Sequence, residues 1–439
     1  MKIYRGVIAG IVLAAGAMQG ATAETLGDAL REAYLHNPQL QAQRTDAQIA
    51  QEGLTQARSQ WKPQVSASGS LGYESKDTNR AFGVDIGEHG VATAQLQAIQ
   101  PIYTGGRISS SIRQAQAGIG AANAQLDALR QNVFLQTVTV YEDVRRDEEA
   151  VRIQENNVTV LIEQARAASD RFEVGEITRT DVALSEARLA GARAGLAGAE
   201  AQREASYANY GILVGAAPQA LVPPPPKPVL PTSFEAAFEI ALDGNPDLAA
   251  SRYAERVSEE GVNGAYAALR PQVSIVGTAS GQETYENNFQ DSNISAVAQA
   301  RVPLFQGGLI RSQVRSAKLE RERARRLTDA LERQVRAQVA QAFYGHEAAV
   351  KTIEASKAQV SAAEIAYRGA KEELAVGVRT TLNVLDQEQD LFEAQLALVR
   401  AEHDAYVAAH QLLRAMGALT LENLNLDAPV YDPEAYDAH

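Results

Sequence analysis

The 439-residue chain contains no cysteine, and this absence excludes several kinds of chemistry. Without a thiol the protein cannot form disulfides, use a cysteine nucleophile, bind zinc through sulfur or carry a thioether-linked lipid. Aromatic residues are also scarce, at 6%, and there are only 15 prolines to interrupt helices. Such a composition favours long helices.

Positive charge is in deficit, because 54 acidic residues outnumber 41 Lys and Arg and give a net charge of −13. A chain this acidic lacks the basic face that phosphate binding requires, so no nucleic-acid partner is expected. Beyond the N-terminus there is no apolar run of about 18 residues, the length of a membrane-spanning helix, although membrane-spanning strands are still allowed.

Motifs of the common enzyme classes are missing as well. The chain has no HExxH zinc motif, no GxSxG nucleophile elbow, and no Walker A or GxGxxG phosphate-binding loop. None of the six histidines pairs with a carboxylate at metal-ligand spacing. We therefore expect no enzyme activity, no bound metal and no cofactor.

The N-terminus has the pattern of a secretory signal peptide over residues 1–23. A positively charged start is followed by a short apolar run at 7–17 and a small-x-small cleavage site at Ala21–Ala23. The alternative is an N-terminal membrane anchor, but the apolar run is too short to span a bilayer. We expect an exported protein whose mature chain begins at Glu24.

The rest of the chain repeats itself. Two motifs recur 208 residues later: Asn37-Pro38 as Asn245-Pro246, and Pro63-Gln64-Val65 as Pro271-Gln272-Val273. Three others recur 202 residues later: PIYTGG (101–106) as PLFQGG (303–308), Val174-Gly175 as Val376-Gly377, and Gly215 as Gly417. Chance matches would not keep one offset for so long, so we predict two structural repeats. Their predicted bounds are 24–221 and 232–420, with a linker at 222–231 and a tail at 421–439.

The linker, VPPPPKPVLP, is expected to be a stiff polyproline II connector, and a ligand for a proline-binding domain is the other interpretation.

Each repeat is predicted to contain a helix, two strands, a very long helix and a further helix. The first helix of the first repeat is expected to run unbroken to about Gln60. Alternating polarity predicts strands at 64–73, 91–101, 272–281 and 293–303.

Turn residues separate these elements. Strand-to-helix turns are predicted at Pro101, Gly105, Gly106, Pro303, Gly307 and Gly308. After each of these turns about 65 residues pass without a strong helix breaker, which predicts a helix on the order of 100 Å long. Gly175 and Gly377 then mark sharp turns into the last helix of each repeat.

Four strands are too few to close a barrel in a membrane, since the smallest closed barrels have about eight and an open sheet leaves unpaired edges in lipid. The chain is therefore expected to share a barrel with other copies of itself. Aromatic residues at the strand ends are consistent with membrane borders: Trp61, Tyr73, Tyr103, Tyr285, Phe289 and Phe305.

These features together resemble the TolC family of outer-membrane export channels. The resemblance covers roughly residues 25–420 and rests on the repeat, the Asn-Pro pairs, the PIYTGG and PLFQGG turns, and the VGEITRTDV and VGVRTTLNVLD segments. It implies a mainly α fold with a β-barrel part: a homotrimer with one 12-stranded barrel in outer-membrane lipid and a coiled-coil tunnel in the periplasm. It also implies a passive duct for multidrug efflux or type I protein secretion, bridged by a periplasmic adaptor (membrane fusion) protein to an inner-membrane pump of RND or ABC type.

The resemblance assigns a gate to the periplasmic helical tips. It implies that Arg379 bonds to Thr180 and Asp181 on a neighbouring coil and so locks the entrance. The two positions that line the entrance correspond here to Asn383 and Asp386, of which only the second is acidic. Leu374 also replaces the family's tyrosine. We therefore expect fewer constraints at this entrance and a less negative upper ring.

The residues themselves give a physical case for the gate. Asp386, Asp390 and Glu393 lie at i, i+4 and i+7, on one face of a helix. Repeated around a pore, they would form acidic rings that favour cations, and converging charges would raise their pKa values. An ordinary solvated acidic face is the alternative. For the whole protein, the alternative to a channel is a structural periplasmic coiled-coil or adaptor protein without a pore.

Overall fold

The computed structural model describes residues 23–74, 89–285, 289–429 and 431. The predicted signal peptide, apart from Ala23, lies outside these residues. So do residues 430 and 432–439 of the predicted tail. The described part of the chain contains the following elements: α1 (Leu26–His36), α2 (Pro38–Ser59), β1 (Gln64–Glu74), β2 (His89–Tyr103), α3 (Arg107–Glu173), α4 (Arg179–Val214), α5 (Phe234–Gly244), α6 (Pro246–Ala267), β3 (Gln272–Thr284), β4 (Phe289–Arg301), α7 (Leu309–Ala375) and α8 (Thr381–Met416).

The prediction of one unbroken helix up to Gln60 is wrong, because the chain breaks at Asn37. The Asn37 side-chain oxygen accepts hydrogen bonds from the backbone N–H groups of Gln39, at 2.9 Å, and Leu40, at 3.2 Å. Asparagine is a strong N-cap and proline suits the first helical position, so Asn37-Pro38 begins a new helix, α2. Asn245 begins α6 in the same way.

The two long helices are present as predicted. α3 and α7 each have 67 residues, and α4 and α8 each have 36. Few prolines and many Ala, Arg, Glu and Gln residues explain why these helices continue so far. Across the described residues, no helix is long and apolar enough to cross a membrane.

The four strands form one antiparallel sheet in the order β1-β2-β3-β4. The bounds differ from the predicted ones most at the start of β4, at Phe289, and at the end of β3, at Thr284. At the opposite ends of the strands, β2 reaches Tyr103 and β4 already ends at Arg301. The difference has a structural cause. The end of β2 is held by pairing of Tyr103 with Val273 on β3, whereas β4 lies at an edge of the sheet with a partner on one side only.

The sheet is amphipathic, because the pairing registers keep like residues on the same side. One face carries small and apolar residues: Val65, Ala67, Leu71, Ala92, Ala94, Leu96, Ala98, Ile275, Ala279, Ile294, Ala296 and Ala298. The other carries mainly polar ones: Ser66, Ser68, Ser70, Thr93, Gln95, Gln97, Thr278, Ser280, Gln282, Asp291, Asn293 and Ser295. Hydroxyl pairs span the polar face, as between Ser70 and Thr93 at 2.7 Å.

The chain divides into two compact units. The first comprises Gln136–Lys227, Thr352–Val407 and the described part of Met1–Leu35. The second comprises His36–Leu135, Pro228–Lys351 and the described part of Ala408–His439. The helical tips therefore belong to the first unit and the sheet to the second.

The start of the described chain is fixed within the first unit. Glu24 forms a single parallel β-bridge with Leu221, and its carboxylate accepts hydrogen bonds from the Tyr210 hydroxyl, at 2.5 Å, and the Gln219 backbone N–H, at 3.0 Å. The Tyr141 hydroxyl lies 2.6 Å from the carbonyl oxygen of Val222, and burial raises the pKa of this tyrosine to about 12. α3 and α4 thus hold both the first residues and the start of the proline-rich segment.

Candidate functional site

Each long helix ends in a glycine turn at a helical tip. Gly175 follows α3 with φ of 79°, and Gly377 follows α7 with φ of 76°. In the first tip the Glu176 N–H donates to the Arg171 carbonyl at 2.9 Å, and in the second the Val378 N–H donates to the Glu373 carbonyl at 2.9 Å. A left-handed residue with such a bond closes a helix end, and glycine adopts that conformation without a Cβ penalty.

The helix after the first tip begins with a capping box. The Asp181 carboxylate accepts from the Thr178 backbone N–H at 3.0 Å and from its hydroxyl at 2.8 Å, while the Asp181 N–H donates to the Thr178 hydroxyl oxygen at 3.4 Å. These bonds hold the pKa of Asp181 below its usual value. Asp181 is therefore engaged in starting α4, and its neighbour Thr180 is exposed.

The second tip begins its helix with the corresponding residues. The Thr380 hydroxyl lies 2.8 Å from the side-chain oxygen of Asn383, whose backbone N–H donates back to that hydroxyl at 3.4 Å. Asn383 stands 202 residues after Asp181 and occupies the same capping position. An amide can serve at this position as well as a carboxylate can, which gives Asn383 a structural reason to be there.

Within the chain, Arg379 does not contact the predicted pair Thr180 and Asp181. Its guanidinium forms an ion pair with Glu373, which lies on the same helical hairpin. Both side chains are nearly half exposed, at 44% and 48%. The sequence-based interpretation placed the Arg379 contact between neighbouring coils, so this contact remains a prediction.

Asp386 has a partner that the sequence reasoning missed. Its Oδ1 accepts a hydrogen bond from Arg188 Nη2 at 2.9 Å, which joins α8 to α4. The side chains are 47% and 37% exposed, respectively. Aligning the two repeats would have pointed to this pair. The second-repeat equivalent of Arg188 is the acidic Asp390, and the first-repeat equivalent of Asp386 is the apolar Leu184. The pair occurs where the two repeats differ in charge.

The other two acidic residues of the predicted face point to solvent. Asp390 and Glu393 are exposed, and each accepts a hydrogen bond from a glutamine of its own helix. The Gln387 amide lies 3.3 Å from Asp390, and the Gln389 amide lies 2.7 Å from Glu393. All three acidic side chains therefore lie on α8, and among the described residues only Asp386 is joined to another helix.

A second feature that the sequence reasoning missed is the buried Glu388. This residue is 6% exposed, in a row of buried α8 residues with Val384 and Leu385 before it and Ala394 after it. Neither carboxylate oxygen has a hydrogen-bond partner among the described residues. Burial raises the pKa of Glu388 to about 7, against the opposing effect of the positive charge of Lys371 on α7.

The tips also expose apolar side chains. Val174 is 72% exposed in the first tip, and Val376 and Val378 are 74% and 75% exposed in the second. Exposed valines at two matching turns are suited to contact with another protein, because burying them would remove apolar surface from water.

The predicted strand-to-helix turns have the expected backbone. Gly105, Gly106, Gly307 and Gly308 all have positive φ, between 55° and 96°. Gly105 lies close to the end of α6, where Arg270 Nη1 donates to its carbonyl oxygen at 3.0 Å. A Cβ on Gly105 would come within 2.7 Å of the Arg270 Cβ, whereas around Gly307 no described atom lies within 4 Å of such a Cβ.

Comparison with known proteins agrees with this geometry. The family model described as "Outer membrane efflux protein" matches the chain twice, over residues 29–215 and 237–418. The outer membrane efflux protein BepC of Brucella suis is 32% identical over 99% of this chain and 95% of its own length. The outer membrane protein TolC of Escherichia coli is 25% identical over 97% of this chain and 88% of its own length.

Solved structures share the fold at lower sequence identity. A crystal structure of CusC has a TM-score of 0.79 and 16% identity, and covers 90% of this chain and 92% of its own. The outer membrane protein VceC of Vibrio cholerae has a TM-score of 0.76 and 21% identity, and covers 89% of this chain and 96% of its own. The chain therefore belongs to the outer membrane efflux protein family, and it is an outer-membrane channel protein of the tripartite efflux and type I secretion class.

Proposed function

We propose that three copies of this chain form one continuous export duct, with a 12-stranded barrel in outer-membrane lipid and a helical tunnel in the periplasm. The observation that carries this proposal is the four-stranded amphipathic sheet. Among the described residues no strand pairs with the outer edges of β1 and β4, and open edges are not tolerated in lipid. Transport through the duct is passive, and the chain contributes no catalysis and binds no nucleic acid.

The test is the mass and shape of the mature protein in detergent, together with its conductance in planar bilayers. A trimeric mass, three-fold particles in electron microscopy and stable single-channel currents are the expected results. Monomers or thin rods that give no conductance would contradict the duct and favour the alternative, a structural or adaptor protein of the periplasm.

The helical tips are the proposed docking site for the periplasmic adaptor, which connects the duct to an inner-membrane RND or ABC pump. The exposed valines Val174, Val376 and Val378 support this, since they offer apolar surface at both turns. Val376→Asp is expected to reduce co-purification of the adaptor and pump and to lower export. Val229→Asp is the matched control, because Val229 is 98% exposed but lies in the proline-rich segment. Equal loss in both variants would count against tip docking.

The cargo is proposed to be small molecules, proteins or both. Relatives include the alkaline protease secretion protein AprF of Pseudomonas aeruginosa, 26% identical over 77% of this chain, and the pyoverdine export outer membrane protein OpmQ of Pseudomonas putida, 23% identical over 74%. Their names cover both kinds of export. Deletion of the gene, followed by measurement of drug susceptibility and of secreted proteins, separates the two.

Entry to the duct is proposed to be gated by Asp386 and Arg188 inside each chain. The 2.9 Å ion pair joins α8 to α4. While the entrance is closed, the Arg188 charge neutralises that of Asp386 on the acidic face of α8. Arg188→Asp or Asp386→Arg should open the entrance and raise conductance by charge repulsion. The double exchange, Arg188→Asp with Asp386→Arg, should restore the closed state. If the double variant is as open as the single variants, the pair is not a lock.

Two further parts of the gate are proposed from the family resemblance and, for Asp390, from its position on the same helix face as Asp386. Arg379 is proposed to bond with Thr180 and Asp181 of a neighbouring coil, so Arg379→Ser should increase closed-state conductance. Asn383, Asp386 and Asp390 are proposed to line the entrance, so Asp386→Ala should lower cation selectivity and weaken block by polyvalent cations. Unchanged ion selectivity in planar bilayers would remove Asp386 from this role.

A further inference from the structure

The apolar face of the sheet continues in the sequence beyond the end of β4. Every second residue of this segment is apolar, in the series Ile294, Ala296, Ala298, Ala300, Val302 and Leu304. Leu304 is 92% exposed, and the adjacent Phe305 is 89% exposed. Strands that cross a membrane end at its interfaces, where large apolar and aromatic side chains collect. We therefore expect the β4–α7 turn to lie at the membrane border on the helical side of the sheet.

The equivalent turn of the first repeat supports this location. Ile102 and Tyr103 correspond to Leu304 and Phe305, and they are 51% and 46% exposed although β2 has a strand on either side. Neighbouring strands thus leave this pair of side chains about half exposed. In an outer-membrane protein the surroundings at this level are lipid, so the apolar exposure is expected to persist in an assembled barrel.

Three cations follow the turn on the first part of α7. Arg311, Arg315 and Lys318 are spaced i, i+4 and i+7, so they share one face of the helix, and all three are exposed. Lys318 Nζ lies over the Tyr266 ring, 5.3 Å from its centroid. Among the described residues, neither Arg311 nor Arg315 has a carboxylate within ion-pair distance. Two guanidinium groups of the described chain therefore keep their full positive charge close to exposed apolar side chains.

The first repeat gives its cations protein partners at the same place. Arg113, the equivalent of Arg315, forms an ion pair with Glu260 at 2.8 Å. Arg107, at the start of α3, donates to the side-chain oxygen of Gln60 at 2.9 Å. The positive charges at the start of α3 are thus engaged within the chain, whereas those at the start of α7 are available to a ligand.

Arg311 also lines a cavity of about 200 Å³ at the β4–α7 turn. Among the described residues around this cavity Arg311 is the one with a charge, and the first repeat has the neutral Ser109 in its place. Most of the remaining lining is apolar: Leu269, Pro303, Leu304, Phe305 and Ile310. A space of this size admits a phosphate group, and it leaves acyl chains to lie outside along the apolar face of the sheet.

We propose that this cavity binds the headgroup of an anionic phospholipid, with the phosphate on Arg311 and the acyl chains against Leu304 and Phe305. This inference rests on the proposed duct in outer-membrane lipid and names the lipid that its β4–α7 turns select. A guanidinium can donate two parallel hydrogen bonds to phosphate oxygens. A zwitterionic headgroup brings a cation of its own, which the arginines repel, so the anionic lipid is favoured. A free phosphate would gain nothing from the exposed apolar side chains.

Native mass spectrometry of the full-length trimer in detergent tests the site. Phosphatidylglycerol, which is anionic, and phosphatidylethanolamine, which is zwitterionic, are added in equal amounts, and the lipids retained by each trimer are counted. The unmodified protein is expected to retain phosphatidylglycerol in preference. Arg311→Gln should lower that preference about fivefold, the effect of one cation beside an anionic lipid. Arg333→Gln is the matched control, because Arg333 is exposed on the same helix face as Arg315 but lies about 27 Å further along α7.

A second arm separates a lipid from a free phosphate. Leu304→Ser should lower the retention of both phospholipids, because it removes apolar surface that the acyl chains cover. Glycerol phosphate, which has the phosphate but no acyl chain, should not displace phosphatidylglycerol. If glycerol phosphate displaces the lipid and Leu304→Ser changes nothing, the cavity recognises phosphate alone and the lipid assignment is wrong.

Each variant is also checked for trimeric mass and conductance. Equal retention of the two phospholipids by the unmodified protein, or equal loss in Arg311→Gln and Arg333→Gln, would overturn the headgroup site. Conducting trimers that retain neither lipid would also overturn it, and would mean that a neighbouring copy or another protein covers the cavity. These outcomes leave the duct intact. Monomers that do not conduct would overturn the duct and the site together.

Discussion

Glu186 and Glu388 occupy the same position in the two repeats, 202 residues apart, yet Glu186 is exposed on α4 and Glu388 is 6% exposed on α8. In the first repeat it is the preceding residue, Ser185, that is buried, at 1% exposure. A carboxylate in water keeps its charge without cost, whereas one in a packed row of helix residues loses its hydration. Two copies of one scaffold can therefore place the same side chain in opposite environments.

The ends of α4 and α8 differ in a similar way. Gly215 and Gly417 both terminate a 36-residue helix with a left-handed backbone, at φ of 95° and 74°. Around Gly215 no described atom would contact an added Cβ, but at Gly417 that Cβ would overlap the backbone oxygen of Gly244. The end of α8 therefore packs against the turn between α5 and α6, whereas the end of α4 has no such contact among the described residues.

The largest difference in stability between equivalent substitutions in the two repeats is expected at these two glycines. Gly215→Ala should lower the free energy of unfolding by about 1 kcal/mol, the cost of a left-handed alanine. Gly417→Ala adds a clash with a neighbouring backbone and should cost about 3 kcal/mol. Denaturant unfolding of the two variants in detergent measures both values. Equal costs would mean that the contact with Gly244 relaxes freely.

Next in size is the effect of pH on the two glutamates. Because burial raises the pKa of Glu388 from 4.5 to about 7, the folded hairpin favours the protonated acid. Its stability contribution is complete below about pH 4.5 and is lost as the pH rises through about 7. Glu388→Gln should remove this loss, so that the protection of α8 amides against hydrogen exchange, corrected for their intrinsic rates, no longer falls between about pH 4.5 and 7.

Glu186→Gln is the matched control, since Glu186 is exposed at the same repeat position. The groups around Glu388 must be accounted for as well. Tyr367 and Lys371 lie on α7, and Tyr367 interacts in turn with Glu163 and Gln164 on α3. If Glu186→Gln removes the pH dependence to the same extent, or Glu388→Gln leaves it unchanged, the buried carboxylate is not its source.

The smallest effect is expected at the helix caps after the two tips. The bonds from Thr178 lower the pKa of Asp181, so its contribution is present above its usual pKa of 3.8 and is lost as the pH falls through the lowered value. Asn383 carries no charge and should show no such loss. Hydrogen exchange in the first turns of α4 and α8 should therefore diverge in acid. Asp181→Asn should make the two turns behave alike.

Much of this architecture follows from local sequence patterns. Three of these patterns act within a few residues. The alternation of polar and apolar residues after Pro63 predicts a strand, the paired glycines after each second strand predict turns, and the scarcity of helix breakers beyond them predicts long helices. Asn37-Pro38 also carries a local signal, a cap followed by proline, and a prediction that uses this signal would have divided the first helix correctly. Strand ends are less predictable, since Tyr103 and Arg301 end their strands according to which neighbours pair with them.

The site was predictable in outline only. The Val-Gly turns located both helical tips, because glycine is favoured where φ is positive. The Arg188–Asp386 pair and the burial of Glu388 had no comparable local cause. Both depend on which faces of α3, α4, α7 and α8 meet, and residues nearly 200 positions apart come together only through that packing.

The sequence by itself therefore determined the repeat, the order of its elements and the amphipathic strands, since backbone conformation and side-chain alternation are short-range properties. Only the tertiary structure decided which copy of each repeated residue is covered. Glu388, Gly105 and Gly417 are enclosed while Glu186, Gly307 and Gly215 are open, because each repeat has a different neighbour within the chain. Burial and pKa depend on those neighbours, and identical residues in two repeats need not share them.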